Sequence, residues 1–113
     1  MSIYILTPEL FIKQKAQQLV YFVQKLIENE LPYEEVHLFT WDILEEWSTL
    51  NKEHLKDIND YESVFWYLFF IVQFEEQHDL ISNKSLRLKV KKCCDYLITP
   101  QLIVPQNCIG IRP

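Results

Sequence analysis

The chain has 113 residues, of which 49% are apolar and 14% aromatic, and its formal net charge at pH 7 is −5. This length fits one domain, and the apolar content suffices for a core without disulfides or metals. A single glycine argues against a fold rich in tight turns and against a phosphate-binding loop, since both depend on glycine. The N-terminus lacks the features of a signal peptide, and the longest apolar run, Val64 to Val72, is too short to cross a bilayer. We therefore expect a cytoplasmic protein that does not insert into a membrane.

Two amphipathic helices are predicted in the first half of the chain. The first covers about residues 8–30, because Thr7, Pro8 and Glu9 form a helix start and apolar residues then recur at steps of three and four. The second follows Pro32, and acidic residues lie between its apolar positions. Its predicted buried stripe is Val36, Phe39, Thr40, Ile43, Leu44, Trp47 and Leu50.

The third predicted helix differs from the others because it is apolar on every face. It contains Val64 to Val72, and a helix of this kind is surrounded by other elements. Periodicity alone also allows a buried strand, but the lack of glycine and turn dipeptides favours a helix. Residues 51–59 are polar and are expected to form a loop or a short helical turn, with Asp60 as the predicted cap of the third helix.

The fourth predicted helix is capped by Ser82 or Asn83 and is followed by a tail that spans residues 99–113. Prolines at positions 100, 105 and 113 predict that the tail is extended. The sequence therefore predicts an all-α fold in one domain, residues 1–113, built as a bundle of about four helices with the tail packed on it. The expected buried stripe of the fourth helix is Leu86, Val90, Cys93 and Leu97, and the tail residues expected to pack on the bundle are Leu102, Ile103, Val104, Ile109 and Ile111.

Charge is distributed very unevenly along the chain. Residues 28–79 contain fourteen acidic residues and two basic ones, whereas residues 84–95 contain five basic residues and one acidic residue. These segments could be solvated helix faces that attract each other weakly across the bundle, or the acidic face could bind a basic partner and steer it into place. Direct nucleic-acid binding is not expected, because most of the surface would repel phosphate. The predicted partner-binding residues are Glu34, Glu35, Trp41, Asp42, Glu45 and Glu46.

Two Glu-x-x-His pairs have the spacing of di-iron helical bundles: Glu34 with His37, and Glu75 with His78. In an up-and-down bundle the start of the second helix lies near the end of the third, so the pairs could meet. A di-iron site also needs a carboxylate from each remaining helix, and the fourth helix offers only Asp95, which should lie at the opposite end. We therefore predict no metal site and no cofactor.

The three cysteines, Cys93, Cys94 and Cys108, do not form a disulfide or zinc-binding pattern. Nearby basic residues could lower the pKa of a thiol on the fourth helix. The helical period, however, favours burial of Cys93 and places Cys94 near the edge. No serine has the context of a catalytic nucleophile, so the sequence predicts no catalytic residues and no enzyme.

Three segments together resemble small bacterial immunity proteins of toxin systems, such as those of contact-dependent growth inhibition. They are Glu62 to Leu68, Leu86-Arg87 with Cys94-x-Tyr96-Leu97, and Cys108 to Pro113. The likeness runs from Glu62 to Pro113, about half of the chain, and includes no catalytic motif. It implies a protein that neutralises a cognate toxin domain, often a nuclease, by occluding or distorting its active site.

An acidic inhibitor suits such a partner, because a nuclease that binds phosphates tends to be basic. The resemblance supplies no binding residues, so the acidic residues and Trp41 of the second helix are chosen from the charge pattern. The alternative is a helical homo-oligomeric adaptor or subunit, such as a homodimer, that has no toxin partner. Its contact would be the apolar third helix or the tail.

Overall fold

The computed structural model describes residues 6–113, and within this range the regular structure consists of five α-helices. These are α1 (Pro8–Ile27), α2 (Tyr33–Thr49), α3 (Asp60–Phe74), α4 (Gln77–Ser82) and α5 (Lys84–Ile98). Both α1 and α3 pack against α2 and against α5, so α2 and α5 lie on opposite sides of the bundle. The predicted all-α bundle is confirmed, with the short α4 added between the third and fourth predicted helices. None of the described helices is long and apolar enough to cross a membrane.

Helix α1 starts where the sequence predicts and ends earlier. The hydroxyl of Thr7 accepts a hydrogen bond from an amide of the first turn. The predicted end near residue 30 is wrong, because Asn29 adopts a left-handed conformation with φ 59°. The amides of Asn29 and Glu30 then donate to the carbonyl oxygens of Leu26 and Lys25, at 3.0 and 2.8 Å. This is a helix stop that usually uses glycine, and asparagine is among the residues that tolerate it best.

Helix α3 forms the centre of the core, in contact with α1, α2 and α5. The predicted burial is confirmed for the side of α3 that faces these helices, whereas Tyr67, Phe70 and Ile71 are only partly buried and Phe74 is 75% exposed. Its fully buried residues are Val64, Phe65, Trp66, Leu68, Phe69 and Val72.

The cap of α3 is Asn59, and the prediction of Asp60 is wrong by one residue. The side-chain oxygen of Asn59 accepts a hydrogen bond from the Glu62 amide at 2.8 Å. The backbone is extended at Asn59, with φ −98° and ψ 176°, and is helical from Asp60 onward. Asp60 instead places a carboxylate in the first turn, where it favours the helix dipole.

The buried stripes of α2 and α5 follow the predicted periods. In α2 the members at the edge of the stripe are only partly buried. In α5 the first member of the stripe is also only partly buried. Asn83 is the cap of α5, since its side chain accepts a hydrogen bond from the Leu86 amide at 3.0 Å. The fully buried members are Val36, Thr40, Ile43 and Trp47 in α2, and Val90, Cys93 and Leu97 in α5.

The tail has no helix or strand, but its predicted extended course is interrupted by turns at residues 100–101 and 106–107, with Asn107 left-handed at φ 59°. It also does not pack through its large apolar residues. Cys108 and Gly110 are buried and Arg112 is partly buried. Between residues 108 and 112 the side chains alternate as in a β-strand, so 108, 110 and 112 face the bundle while 109 and 111 face solvent. The expectation of burial is wrong for all five apolar residues, which are exposed: Leu102, Ile103, Val104, Ile109 and Ile111.

Candidate functional site

The exposed side of α2 combines acidic residues with large apolar ones, and we call it the α2 outer face. Its members are three or four residues apart, so they share one side of the helix. They lie opposite the buried stripe that holds α2 on α1 and α3. The α2 outer face consists of Glu34, Leu38, Trp41, Asp42 and Glu45.

All six residues predicted to bind a partner are exposed, but they do not all belong to this face. Glu46 turns toward α1, where its carboxylate lies 2.9 Å from the ammonium group of Lys15. Glu35 lies three residues before Leu38 and seven before Asp42, so it borders this face on the side of Asp42. Leu38, which is 62% exposed, was not among the predicted residues. The sequence could have identified this residue, because Leu38 is an apolar residue of α2 that lies outside the predicted buried stripe.

The carboxylates of the α2 outer face are not neutralised within the molecule. In the part of the chain that the structure describes, no lysine or arginine lies within 4.0 Å of Glu34, Asp42 or Glu45. Beside them, 55% of the Trp41 side chain is exposed. An indole surrounded by unpaired carboxylates suits a partner with basic groups around an apolar or cationic centre.

Aromatic contacts hold the N-terminal half of this face in place. The hydroxyl of Tyr33, in the first turn of α2, donates to the carbonyl oxygen of Glu75 at 3.1 Å and so ties α2 to the end of α3. The ring of His37 stacks on Tyr33 at a centroid distance of 5.5 Å and meets the edge of Trp41 at 6.1 Å. The contacts of Trp41 with His37, and of His37 with Tyr33, therefore help to fix the position of the exposed indole.

The two Glu-x-x-His pairs do not form a metal centre in the described residues. The start of α2 does lie beside the end of α3, as the topology predicted. However, no group of three or more His, Cys, Asp or Glu side chains between residues 6 and 113 is arranged to hold a metal ion. His37 packs between aromatic rings instead.

The cysteines are free thiols, and all three are buried. The predicted edge position of Cys94 is wrong, since only 2% of the residue is exposed. Burial raises the pKa of Cys94 from 9.0 to about 12, and burial together with the neighbouring Cys108 thiol raises the pKa of Cys93. The hypothesis of a thiol with a lowered pKa is therefore wrong, because desolvation outweighs the nearby lysines. Neither thiol supplies the thiolate that nucleophilic chemistry needs at neutral pH.

Two of the three segments that resemble immunity proteins, Glu62 to Leu68 and Cys108 to Pro113, are in contact although they are far apart in sequence. Arg112 in the tail forms a bidentate ion pair with Glu62 on α3, with Nε–Oε2 and Nη2–Oε1 distances of 2.6 and 2.8 Å. The indole N–H of Trp66 donates to the same carboxylate at 2.9 Å. The hydrogen bond from Arg112 satisfies a carboxylate that is 8% exposed, and the Glu62 carboxylate raises the pKa of Arg112.

Gly110 allows the tail to approach this place closely. Its amide donates to the Ser63 carbonyl oxygen at 3.0 Å, and the Ser63 hydroxyl donates to the Gly110 carbonyl oxygen at 3.3 Å. A Cβ atom at residue 110 would lie 2.6 Å from the carbonyl carbon of Trp66, closer than real Cβ contacts. The only glycine of the chain is therefore required by backbone packing. These contacts indicate that the resembling segments seat the tail on α3.

Comparison of the chain with protein-family models, with curated proteins and with solved structures finds no match.

Proposed function

We propose that this chain is a bacterial immunity protein that acts in the cytoplasm. It binds a cognate toxin domain, a basic nuclease, through the α2 outer face and neutralises it by covering its active site. It catalyses no reaction itself. The observation that carries the proposal is the α2 outer face, in which three carboxylates without a cationic partner surround exposed Leu38 and Trp41.

Charge and apolar surface have different roles in this proposal. Unpaired carboxylates attract a basic domain over a distance of about 8 Å at physiological ionic strength, and this mainly speeds association. Burial of an indole at the centre of an interface mainly slows dissociation, and tryptophan is one of the residues most often found in this role. Trp41 with Leu38 beside it therefore forms the anchor, and Glu34, Asp42 and Glu45 steer the partner.

The alternative adaptor function is less well supported. It requires the apolar third helix or the tail to form a contact between copies. Most large apolar residues of α3 face the interior, where α1, α2 and α5 cover them, but Phe74 at its C-terminal end is 75% exposed. Phe74 and the exposed apolar residues of the tail remain available for a contact between copies, but such a contact does not use the unpaired carboxylates that distinguish the α2 outer face.

A growth assay tests the proposed function directly. The chain is co-expressed with the toxin domain encoded immediately upstream, and wild type should restore growth. The variant Glu34→Lys/Glu45→Lys should restore growth poorly, because it reverses two charges of the binding face. The control Glu53→Lys/Asp57→Lys changes the net charge equally on the exposed loop before α3 and should protect like wild type.

Binding kinetics with the purified toxin domain then separate the two roles. The Glu34→Lys/Glu45→Lys variant should associate more slowly at low salt and show a weaker salt dependence, whereas Trp41→Ala should dissociate faster. Equal binding by wild type and both variants would remove the α2 outer face from the function. The proposed function as a whole would be contradicted if no toxin gene lies upstream and the chain fails to bind basic nuclease domains.

A further inference from the structure

Helix α5 carries a surface that mirrors the α2 outer face with the opposite charge. Leu88 is 53% exposed, and the bases three or four residues from it lie on the same side of the helix. Asp95 is the single acid of this helix, and it pairs with Lys91 at 2.8 Å. We call this surface the α5 outer face; it consists of Leu88 with Lys84, Lys91 and Lys92, and the exposed Arg87 borders it on the side of α1.

A groove between α1 and α5 runs along this surface. Its volume is about 610 Å³, and its lining includes the apolar residues Ile27, Leu88 and Val90. Its charged lining consists of Lys84, Arg87 and Lys91 together with Glu28 and Asp95, whose carboxylates pair with Lys25 and Lys91. A cleft of several hundred cubic ångströms, apolar inside and edged by a few charged groups, accommodates an aromatic group. Cations beside an indole add a further favourable interaction.

The two outer faces cannot meet within one molecule. Helices α2 and α5 are separated by α1 and α3, so the acidic and the basic face point in opposite directions. Within one molecule the acidic and basic faces can therefore attract each other only weakly, and their charges do not pair at short range. A second copy of the chain, however, presents to each face a surface of opposite charge that also has an apolar centre.

We propose that copies of this chain associate head to tail, with the α2 outer face of one copy on the α5 outer face of the next. Trp41 enters the groove between α1 and α5. The carboxylates of Glu34 and Glu45 then lie against Lys84 and Lys92. Because the two faces differ, the contact is heterologous, so it builds a ring if the rotation closes and an open chain if it does not.

This contact uses the same α2 surface as the proposed function and does not depend on the existence of a toxin. A basic toxin domain would compete with the second copy for Trp41 and its neighbouring carboxylates. Toxin binding would then separate associated copies.

Sedimentation velocity on the purified chain tests the proposal. At about 50 mM salt the mean mass should rise with protein concentration, and at about 500 mM it should fall toward the monomer, because salt screens the charges. The variants Glu34→Lys/Glu45→Lys and Lys84→Glu/Lys92→Glu should each weaken association roughly tenfold or more, equivalent to about 1.4 kcal/mol. The control Glu53→Lys/Asp57→Lys should associate like wild type, and circular dichroism should show that all variants are folded.

Mixing the two reversed variants provides the sharpest test. One retains the native α5 outer face and the other retains the native α2 outer face, so an equimolar mixture should recover the contact that each lacks alone. Trp41 gives an independent signal because Trp47 and Trp66 are buried. Fluorescence that acrylamide quenches therefore reports Trp41, and quenching should decrease when copies associate.

Two results would overturn the head-to-tail contact: a wild-type chain that stays monomeric at low salt, or association that survives the reversal of either face. A monomeric chain that still protects against the toxin would remove this contact and leave the proposed function intact. A chain that associates as described but binds no toxin domain would support this contact and remove the proposed function.

Discussion

Trp66 takes part in several different interactions of the core. It is fully buried, its indole meets the ring of Trp47 at 5.1 Å, and its N–H donates to Glu62. Trp66→Ala should therefore lower the free energy of unfolding by about 3–5 kcal/mol, as expected for truncation of a buried aromatic residue. Urea denaturation monitored by circular dichroism measures this change.

The matched control is Trp41→Ala, which removes the same side chain from an exposed position. Its effect should stay within about 0.5 kcal/mol, as for most surface substitutions. If both variants unfold at the same urea concentration, or if Trp66→Ala matches wild type, the assignment of α3 to the core is wrong.

At the level of single elements, the start of α3 provides a test of which residue caps the helix. Asn59→Ala removes the acceptor of the Glu62 amide and should lower stability by about 1 kcal/mol, a typical value for loss of an N-cap. Asp60→Ala removes only a first-turn charge and should cost less, about 0.3–1 kcal/mol at low salt and little at high salt. A larger effect at Asp60, persisting at high salt, would contradict the observed cap.

Helix type and position were predictable because the spacing of apolar residues in the sequence matches the buried side of each helix. The apolar run of α3, Val64 to Val72, and the stripes of α2 and α5 follow directly from this pattern. Helix ends were less predictable. Asn59 and Asp60 are both suitable caps, and only the backbone conformation distinguishes them. The end of α1 at Asn29 was missed because asparagine replaces the usual glycine of this helix stop.

The tail shows why tertiary contacts limit prediction. Ile109 and Ile111 are more apolar than their neighbours, yet Gly110 and Arg112 face the bundle. Close backbone approach and a buried ion pair decide this arrangement, and neither leaves a hydrophobic period in the sequence. Within the candidate site, the exposure of the acidic residues was predictable, but the ion pair that draws Glu46 to α1 was not.

At the scale of the whole molecule, the buried titratable groups predict a loss of stability at alkaline pH. The folded pKa of Cys94 is raised from 9.0 to about 12, and the pKa of Cys93 is raised as well. Above about pH 9 the unfolded chain releases thiol protons that the folded chain retains, so the free energy of unfolding falls. For each thiol the slope approaches about 1.4 kcal/mol per pH unit above the unfolded pKa, and the stabilising contribution is complete below that pKa.

Urea denaturation at about pH 8 and about pH 10 measures this slope. Cys94→Ala should flatten it, because the variant has one titrating thiol fewer. The control Val90→Ala also shortens a buried side chain of α5 but should keep the wild-type slope. Parallel curves for wild type and Cys94→Ala would show that this thiol does not titrate as described.

The pairing of Glu62 with Arg112 across 50 residues of sequence also affects the order of events during synthesis. At a typical translation rate of roughly 5–20 residues per second, α3 is translated several seconds before its cationic partner exists. Until then the Glu62 carboxylate needs hydration, although it lies in the same helix as the most apolar residues of the chain. We therefore expect the bundle to close around this end of α3 only after the tail has been added.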